Sequence, residues 1–389
     1  MIQTPDSFRF TALPPLALYI HIPWCVRKCP YCDFNSHEAK QAIPEFEYID
    51  ALVADLTADL PRVWGRHVES IFIGGGTPSL FSPEAYDRLF SQLRALLPIN
   101  PMAEITLEAN PGTVEVGKFR EFRALGINRL SIGIQSFNET QLKQLGRIHD
   151  RNEAIAAAEA THAAGFDNFN LDLMFGLPNQ SLHEAMQDVQ QAIRLQPSHV
   201  SYYNLTIEPN TAFAHAPPAL PDDDAVFDIQ QSGQALLAEH GYAQYEVSAY
   251  AQPNRQCWHN LNYWRFGDYL GIGAGAHGKI TDAQQQRIFR LHKHRHPKEY
   301  ITATNKIAGE QALARGDVPF EFMMNAMRLH DGVEASLFTE RAGLPVTTIT
   351  SLLQQAEQRG LLDWTAQRLS PTPHGRLFLN DLIALFLPK

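Results

Sequence analysis

Short apolar runs alternate with segments of helical periodicity through the first half of the chain. The runs are bounded by glycine, proline or polar residues, a pattern typical of buried strands. They predict six strands, one that begins near residue 17 and five at 70–73, 103–109, 128–134, 167–174 and 199–205. Apolar positions spaced three and four residues apart predict helices at 44–66, 83–97, 114–125, 151–164 and 181–195.

This alternation indicates the α/β class, because a helix between two strands returns the chain in one direction and gives a parallel sheet. Polar or glycine-rich residues follow every predicted strand. In chain order they are Cys25, Cys29 and Cys32, the glycines at 74–76 with Thr77, Glu108, Gln135, Asp172, and Thr206 with Glu208. In parallel α/β barrels the carboxyl ends of the strands carry the active site. The sequence therefore predicts a partial (β/α)6 barrel with its site at that end.

The loop after the first strand carries three cysteines at C-x3-C-x2-C spacing, Cys25, Cys29 and Cys32. Four-iron clusters are normally held by four thiolates. Since no fourth cysteine lies within reach of this loop, the spacing predicts a [4Fe-4S] cluster with one iron open to a substrate or cofactor. The alternatives are a zinc site, which needs a fourth nitrogen or sulfur ligand, and plain buried cysteines.

Other residues at the strand ends are candidates for ligand contacts. The glycines at 74–76 let the backbone approach a ligand closely, or they form only a tight turn. Glu108 can accept hydrogen bonds from an amine or ribose, and Gln135 can bind a carboxylate or ribose. Arg147 can pair with a carboxylate or lie exposed at a helix end. Asp172, on a strand apolar enough to be buried, is costly unless paired, which favours a functional role.

Composition and charge narrow the class of protein. The chain has 389 residues and a net charge of −10, which argues against a nucleic-acid partner held through phosphates. Its four cysteines are not a disulfide framework, and a reducing cytoplasm fits them best. We expect no signal peptide and no membrane-spanning segment. Peripheral membrane contact stays open, and no pattern specifies an oligomeric state.

From residue 320 onward the pattern changes. Helices at 321–329, 334–342 and 346–359, a hairpin at 360–364 and 368–370, and a final helix predict a winged-helix-like α+β domain. Winged helices often bind DNA, but this segment has six Lys/Arg against seven Asp/Glu, so it offers no basic face. A lid or a docking module for a protein partner is the favoured interpretation.

Five motifs together identify a known family. They are Tyr19-x-His-Ile-Pro-x-Cys-x3-Cys-x-Tyr-Cys, Gly74-Gly-Gly-Thr-Pro, Glu108-Ala-Asn-Pro, Gly133-Ile-Gln-Ser-Phe and Asp172-Leu-Met-Phe-Gly-Leu-Pro. As a set they resemble the oxygen-independent coproporphyrinogen III oxidase family of radical S-adenosylmethionine (SAM) proteins. The resemblance implies that Cys25, Cys29 and Cys32 hold the cluster. It places SAM contacts at Tyr19, Tyr31, Gly75, Gly76, Thr77, Glu108, Gln135, Arg147 and Asp172, with tyrosine at 31 where the oxidases carry phenylalanine.

The departures from the oxidase pattern favour one branch of the family. Phe34 stands where the oxidases carry a further cysteine, and only about fifteen residues precede the first strand. The segment 256–264 contains H-N-x-x-Y-W, which resembles the heme-associated motif of the heme chaperone branch. We therefore expect a protein that binds heme, a cluster and SAM, passes heme to acceptor proteins and lacks oxidase activity. The alternative is a coproporphyrinogen III oxidase that decarboxylates propionates by radical chemistry.

The same motif supplies a candidate heme ligand. His259 offers an imidazole and two aromatic neighbours suit a flat macrocycle, with Cys257 as a second candidate ligand. The alternative is that His259 and Trp264 only pack this segment against the barrel.

Two further segments and the domain limits complete the expectations. The glycine-rich run 267–278 predicts a loop that closes over the SAM site, and the basic run 287–297 predicts a surface strand or a contact for heme propionates. The predicted divisions are an extension at 1–15, the barrel at 16–240, a barrel-closing segment at 241–319 and the last domain at 320–389.

Overall fold

A mixed sheet of twelve strands extends through most of the chain in this computed structural model, which describes residues 8–112 and 116–388. Two smaller sheets, β2-β3 and β15-β17-β16, accompany it. In chain order the strands of all three sheets are β1 Leu16–Ile22, β2 Trp24–Cys25, β3 His37–Glu38, β4 Val68–Gly75, β5 Ile99–Ala109, β6 Arg129–Gln135, β7 Phe169–Phe175, β8 His199–Asn204, β9 Ala243–Glu246, β10 Ala249–Ala251, β11 Asp268–Ile272, β12 His277–Asp282, β13 Arg287–Lys293, β14 Ile307–Ala312, β15 Val333–Glu334, β16 Leu362–Trp364 and β17 Arg368–Pro371.

The helices lie mainly between the strands. They are Glu45–Asp59, Pro83–Leu96, Phe119–Ala124, Glu139–Gln144, Arg151–Ala163, Leu182–Arg194, Ala212–His215, Asp223–Glu239, Trp258–Trp264, Pro297–Thr302, Val318–Ala326, Ser336–Ala342, Thr350–Gln358, Pro373–Leu377 and Leu379–Ala384. Single turns of 3-10 helix cover Leu60–Arg62, Pro78–Leu80 and Val346–Thr348. The helix predicted at 114–125 begins outside the described residues, and its described part is Phe119–Ala124.

The six predicted strands are β1, β4, β5, β6, β7 and β8, and each pairs in parallel with the next. The sheet continues as β14-β13-β12-β11 beside β1 and as β10-β9 beside β8, and these two edges are not paired with each other. The sheet is therefore an incomplete barrel, and the predicted α/β class and partial barrel are confirmed.

The glycine-rich run 267–278 differs from the prediction. Its first half is strand β11, which pairs in parallel with β1 from Leu16↔Asp268 to Ile20↔Ile272. A turn then leads into β12, which returns antiparallel to β11. The segment is thus mainly part of the sheet rather than a loop, because pairing with β1 satisfies its backbone groups.

The core of the barrel follows from the strand sequences. All seven residues of β6 are buried, as expected for a strand covered on both faces. Two of the covering helices begin with a capping box, Asp150 with Glu153 and Ser181 with Glu184, which satisfies free amide groups of the first turn. These caps fix where each helix starts after its strand.

The last domain forms a separate hydrophobic core. Its helices surround the small sheet β15-β17-β16, which matches the predicted three helices and hairpin. This core includes Phe322, Phe338 and Leu353 together with Phe266 and Ile288 from the preceding segment. The last domain is therefore packed directly on the β11–β14 side of the sheet. None of the helices in the described ranges is both long and apolar enough to cross a membrane.

Candidate functional site

The cysteine loop leaves the carboxyl end of β1. Cys25 lies on β2, which pairs with β3, and the backbone amide of Cys32 donates to the carbonyl oxygen of Cys29 at 3.2 Å. All three thiols are partly exposed. They line one cavity of about 140 Å³, which we call the thiol cavity. The expectation that these cysteines share one site therefore agrees with their placement.

The chemistry of the three thiols fits a cluster better than a single zinc ion. Among the residues that the structure describes, no three Cys, His, Asp or Glu side chains converge on one metal position. A cubane cluster instead binds each thiolate through a different iron, so its ligands stand further apart. Burial raises the pKa of the Cys25 thiol, and the neighbouring thiols at Cys29 and Cys32 add to this shift. A bound metal centre would offset that cost by stabilising the thiolates.

The glycine segment that ends β4 forms one wall of the thiol cavity. Gly75 has φ +115°, and a Cβ there would lie 2.5 Å from Cε1 of His21. A Cβ on Gly76 would lie 2.5 Å from the carbonyl oxygen of Trp24. Thr77 is buried, and its hydroxyl oxygen accepts a hydrogen bond from Asn110 at 2.8 Å. Glycine is therefore required here for the close approach of backbone and ring.

Two carboxyl groups face the same cavity from β5 and β7. Glu108 accepts a hydrogen bond from the Gly75 amide at 3.0 Å, and Asp172 accepts one from Asn170 at 2.7 Å. Burial, with Asp172 nearby, raises the pKa of Glu108 to about 7. Burial also raises the pKa of Asp172. A cationic ligand such as the sulfonium and amine of SAM would restore both carboxylates to their charged form.

Arg147 connects the cysteine loop to the strand ends. Its guanidinium donates to Asn110 and to the carbonyl oxygen of Gly133, both at 2.6 Å, and lies 3.7 Å from the sulfur of Cys29. Its Nε is buried without a hydrogen-bond partner in the described part of the chain. This orphaned donor, aimed among the cavity residues, is consistent with a ligand that carries a carboxylate.

Gln135 ends β6 in a conformation that is unusual for a residue with a side chain. Its φ is +70°, and its side-chain oxygen accepts a hydrogen bond from the Tyr203 hydroxyl at 2.6 Å. Residues held in such left-handed conformations are concentrated at functional sites. The pair therefore fixes the amide group at the edge of the thiol cavity.

The structure brings most of the predicted site residues together around one cavity. The thiol cavity is lined by Cys25, Cys29, Cys32, Tyr31, Gly75, Gly76, Thr77, Glu108, Gln135, Arg147 and Asp172. Thr206 and Glu208 are not among its lining residues, because β8 ends at Asn204 and presents Tyr203 instead. Tyr203 and Ser131 were not predicted. The alternation of side chains along each strand was the signal that could have found both.

A second and larger cavity lies beside the first. This wide cavity has a volume of about 820 Å³ and shares Phe34, Gly75 and Glu108 with the thiol cavity. Tyr19, the remaining predicted SAM residue, lines the wide cavity, and its hydroxyl bonds to Nδ1 of His21 at 2.9 Å. The thiol cavity alone is smaller than the roughly 300 Å³ usual for small-molecule sites. A ligand of SAM size therefore needs part of both.

The H-N-x-x-Y-W motif lies on the helix Trp258–Trp264 and contributes to the wide cavity in part. Tyr263 and Trp264 line that cavity. The imidazole of His259 is instead 1% exposed, with Nδ1 bonded to Ser70 at 3.0 Å and Nε2 to the Tyr263 hydroxyl at 2.9 Å. Burial lowers the pKa of His259 to about 3. In this arrangement neither ring nitrogen is free to bind iron.

Cys257 is also directed away from the cavities. It is fully buried, and its thiol donates to Glu104 at 3.4 Å. Burial raises the pKa of this thiol to about 12. As placed, Cys257 is a structural cysteine beneath the helix rather than an exposed ligand.

Comparisons with known proteins agree with this geometry. Residues 19–192 match the Radical SAM superfamily, and residues 313–378 match the HemN C-terminal domain. The structure resembles that of coproporphyrinogen III oxidase (HemN) from Escherichia coli, a radical SAM enzyme. The TM-score is 0.81 at 26% identity, and the match covers 96% of this chain and 90% of that one.

Comparison with sequence relatives identifies the family within this superfamily. The chain is 52% identical to the heme chaperone HemW of Escherichia coli (strain K12), over 97% of this chain and 99% of that protein. It is 31% identical to the heme chaperone HemW of Bacillus subtilis (strain 168), over 95% of this chain and 98% of that protein. The predicted family resemblance is therefore confirmed, and the chain belongs to the radical SAM superfamily and, within it, to the heme chaperone HemW family.

Proposed function

We propose that this chain binds heme beside a [4Fe-4S] cluster and SAM and transfers the heme to acceptor proteins. The observation that carries the proposal is the pair of adjoining cavities, one lined by three thiols and the other wide enough for a macrocycle. Half-exposed thiols persist in a reducing compartment, so we place the protein in the cytoplasm.

The thiol cavity supplies the groups that a cluster and SAM need. Cys25, Cys29 and Cys32 would bind three irons, and Gly75 and Gly76 line the same cavity. Glu108, Gln135, Arg147 and Asp172 would hold the polar ends of SAM. When bound, the cluster and SAM supply one-electron chemistry. The chain itself contributes orientation and charge balance through these side chains.

The wide cavity supplies groups suited to a flat, apolar molecule with acidic substituents. Its walls carry the aromatic rings of Phe34, Tyr263 and Trp264, and Arg290 and Arg295 also line it. Aromatic rings stack on macrocycles, and arginines pair with carboxylates such as propionates. The volume of about 820 Å³ is within the range of ligand and cofactor sites.

Phe34 favours heme transfer over coproporphyrinogen oxidation. It is 65% exposed and lies between the two cavities, at the position where a further cysteine is expected in the oxidases. An aromatic ring there offers a stacking surface to a macrocycle, and it removes a thiol from the space next to the cluster.

Anaerobic reconstitution followed by two assays tests the proposal. In the first, heme is titrated into the protein and the Soret band is recorded, and the loaded protein is then mixed with a b-type apocytochrome. We expect saturable binding of one heme and growth of the holocytochrome spectrum. In the second, the protein is incubated with SAM, reductant and coproporphyrinogen III, and we expect no protoporphyrinogen.

The outcomes separate the two activities. Formation of protoporphyrinogen at a catalytic rate would assign the chain to the oxidases. Absence of a Soret shift in the reconstituted wild-type protein would remove heme binding. A Cys25→Ser variant serves as the matched sample without a cluster, so that transfer with and without the metal centre can be compared.

A further inference from the structure

We propose that His277 on β12 supplies the nitrogen that binds heme iron, with its ring positioned by His292 on β13. This inference rests on the proposed heme binding and assigns the ligand to the wide cavity rather than to the H-N-x-x-Y-W motif. It follows from a comparison of the histidines at and beside that cavity, taken one at a time.

Three histidines line the wide cavity, and one of them has both nitrogens occupied. His21 bonds to the Tyr19 hydroxyl through Nδ1 and to the carbonyl oxygen of Asn35 through Nε2, each at 2.9 Å. It is only 5% exposed. Neither ring nitrogen of His21 is therefore free to bind iron. The same is true of the buried His259.

His277 and His292 are the remaining two, and both are exposed to the cavity. They are directly opposite each other on the antiparallel pair β12–β13, with ring centroids 5.8 Å apart and ring planes 29° from parallel. Neither ring makes a hydrogen bond within the ranges that the structure describes. Their nitrogens are thus available, and neutral imidazole is a common ligand of heme iron.

The surroundings distinguish His277 from its neighbour. The ring of His292 lies over Gly309 of β14, where an added Cβ would come within 2.1 Å of Cε1. The ring of His292 therefore packs against the backbone of β14. His277 begins β12 directly after the turn at the carboxyl end of β11, and Asn35 of the cysteine loop donates to the carbonyl oxygen of Ala274 in that turn at 2.9 Å.

Of the two arginines that line the wide cavity, one is without an ion-pair partner in the described ranges and is therefore available to a heme propionate. Arg290 already bonds to Glu321 and to the Tyr269 hydroxyl, and Lys279 is paired with Asp268 at 2.9 Å. Arg295 is exposed and forms no ion pair in the described part of the chain. We assign Arg295 to a heme carboxylate, because it lines the same cavity as His277.

The test is heme binding to single variants of the reconstituted full-length protein. His277→Ala should shift the Soret maximum and the EPR g-values of the ferric complex. It should also weaken heme affinity about tenfold or more, as expected when a metal ligand is lost. Millimolar imidazole should restore the wild-type spectrum. His292→Ala should weaken affinity by a smaller factor and keep the Soret position.

Two matched histidine variants serve as controls. His259→Ala and His183→Ala, the latter on the exposed face of the helix Leu182–Arg194, should keep the wild-type Soret and EPR spectra. Circular dichroism and cluster absorbance establish that each variant is folded and loaded.

Four results would overturn the assignment. A His277→Ala complex with the wild-type spectrum and affinity excludes His277. Loss of the ligand signature in His292→Ala, with His277→Ala unchanged, gives the role to His292. Loss of that signature in a folded His259→Ala variant would instead identify His259 of the H-N-x-x-Y-W motif as the heme ligand. A wild-type protein that binds no heme removes the proposed function as well, so the two failures are distinguishable.

Discussion

The cysteine loop after β1 and the helix Trp258–Trp264 are both motif segments, yet they are used in different ways. The three thiols of the loop face one cavity, together with residues from the ends of β4, β5, β6 and β7. The helix carries its motif histidine inward, where Ser70 and Tyr263 bind both ring nitrogens. A motif at the end of a strand therefore indicates the location of a site directly. A motif on a helix indicates a site only when it is known which face of the helix is buried.

Breaking the cluster is the strongest test of this contrast. Cys25→Ser should reduce bound iron from about four per chain to a small fraction, because a cubane held by two thiolates is not retained. The measurement is iron content and absorbance after anaerobic reconstitution.

The matched control for the cluster is the fourth cysteine. Cys257→Ser should keep full iron content, since Cys257 is fully buried and its thiol donates to Glu104. If Cys257→Ser lost iron as completely as Cys25→Ser, the division between the loop and the helix would be wrong.

The second test concerns stability rather than binding. His259→Ala removes a buried ring and leaves Ser70 and Tyr263 without their partner. The free energy of unfolding should fall by about 3 kcal/mol, the sum of a cavity and unpaired polar groups. Denaturant titration of the protein without heme measures it, and exposed His183→Ala should change stability by less than about 0.5 kcal/mol. An equally stable His259→Ala would mean that the ring is not held as the structure places it.

The same contrast explains what could be read from the sequence. The apolar runs predicted six strands, and the positions of Glu108 and Asp172 at strand ends predicted that both carboxyl groups lie at the same end of the sheet as the cysteines. Strand β11 was missed because it lies within the glycine-rich run 267–278, which was interpreted as a loop, and because it forms by pairing with β1, far away in the chain. The orientation of His259 was also missed, because it depends on Ser70 of β4 rather than on local sequence.

The third test uses the raised pKa of Glu108, about 7 in the folded chain. Because the ordinary value is about 4.3, the folded state keeps a proton that the unfolded state loses between these values. The stability that this proton gives is fully present below the lower value and is lost as the pH rises through 7.

Glu108→Gln should therefore reduce the fall in unfolding free energy from pH 5 to pH 8 by about 2 kcal/mol in protein without SAM. Denaturant titrations at the two pH values measure this difference. Exposed Glu159→Gln should leave the pH dependence unchanged. A pH dependence in Glu108→Gln identical to that of the wild type would mean that Glu108 is not buried beside Asp172.

The smallest expected effect concerns a residue that sequence patterns overlooked. Tyr203 donates to Gln135 at 2.6 Å, and Tyr203→Phe removes that hydroxyl while keeping the ring. SAM affinity should weaken by about 1 kcal/mol, several-fold in the dissociation constant, because the amide of Gln135 is then free to turn. Equilibrium binding of SAM to the reconstituted protein measures the change.

The neighbouring Tyr202→Phe is the control, because Tyr202 points to the opposite face of β8, where its hydroxyl donates to the carbonyl oxygen of Ile229 at 3.4 Å. Equal losses in both variants would indicate a general effect on β8, whereas a loss in Tyr203→Phe alone extends the site to a sixth strand end.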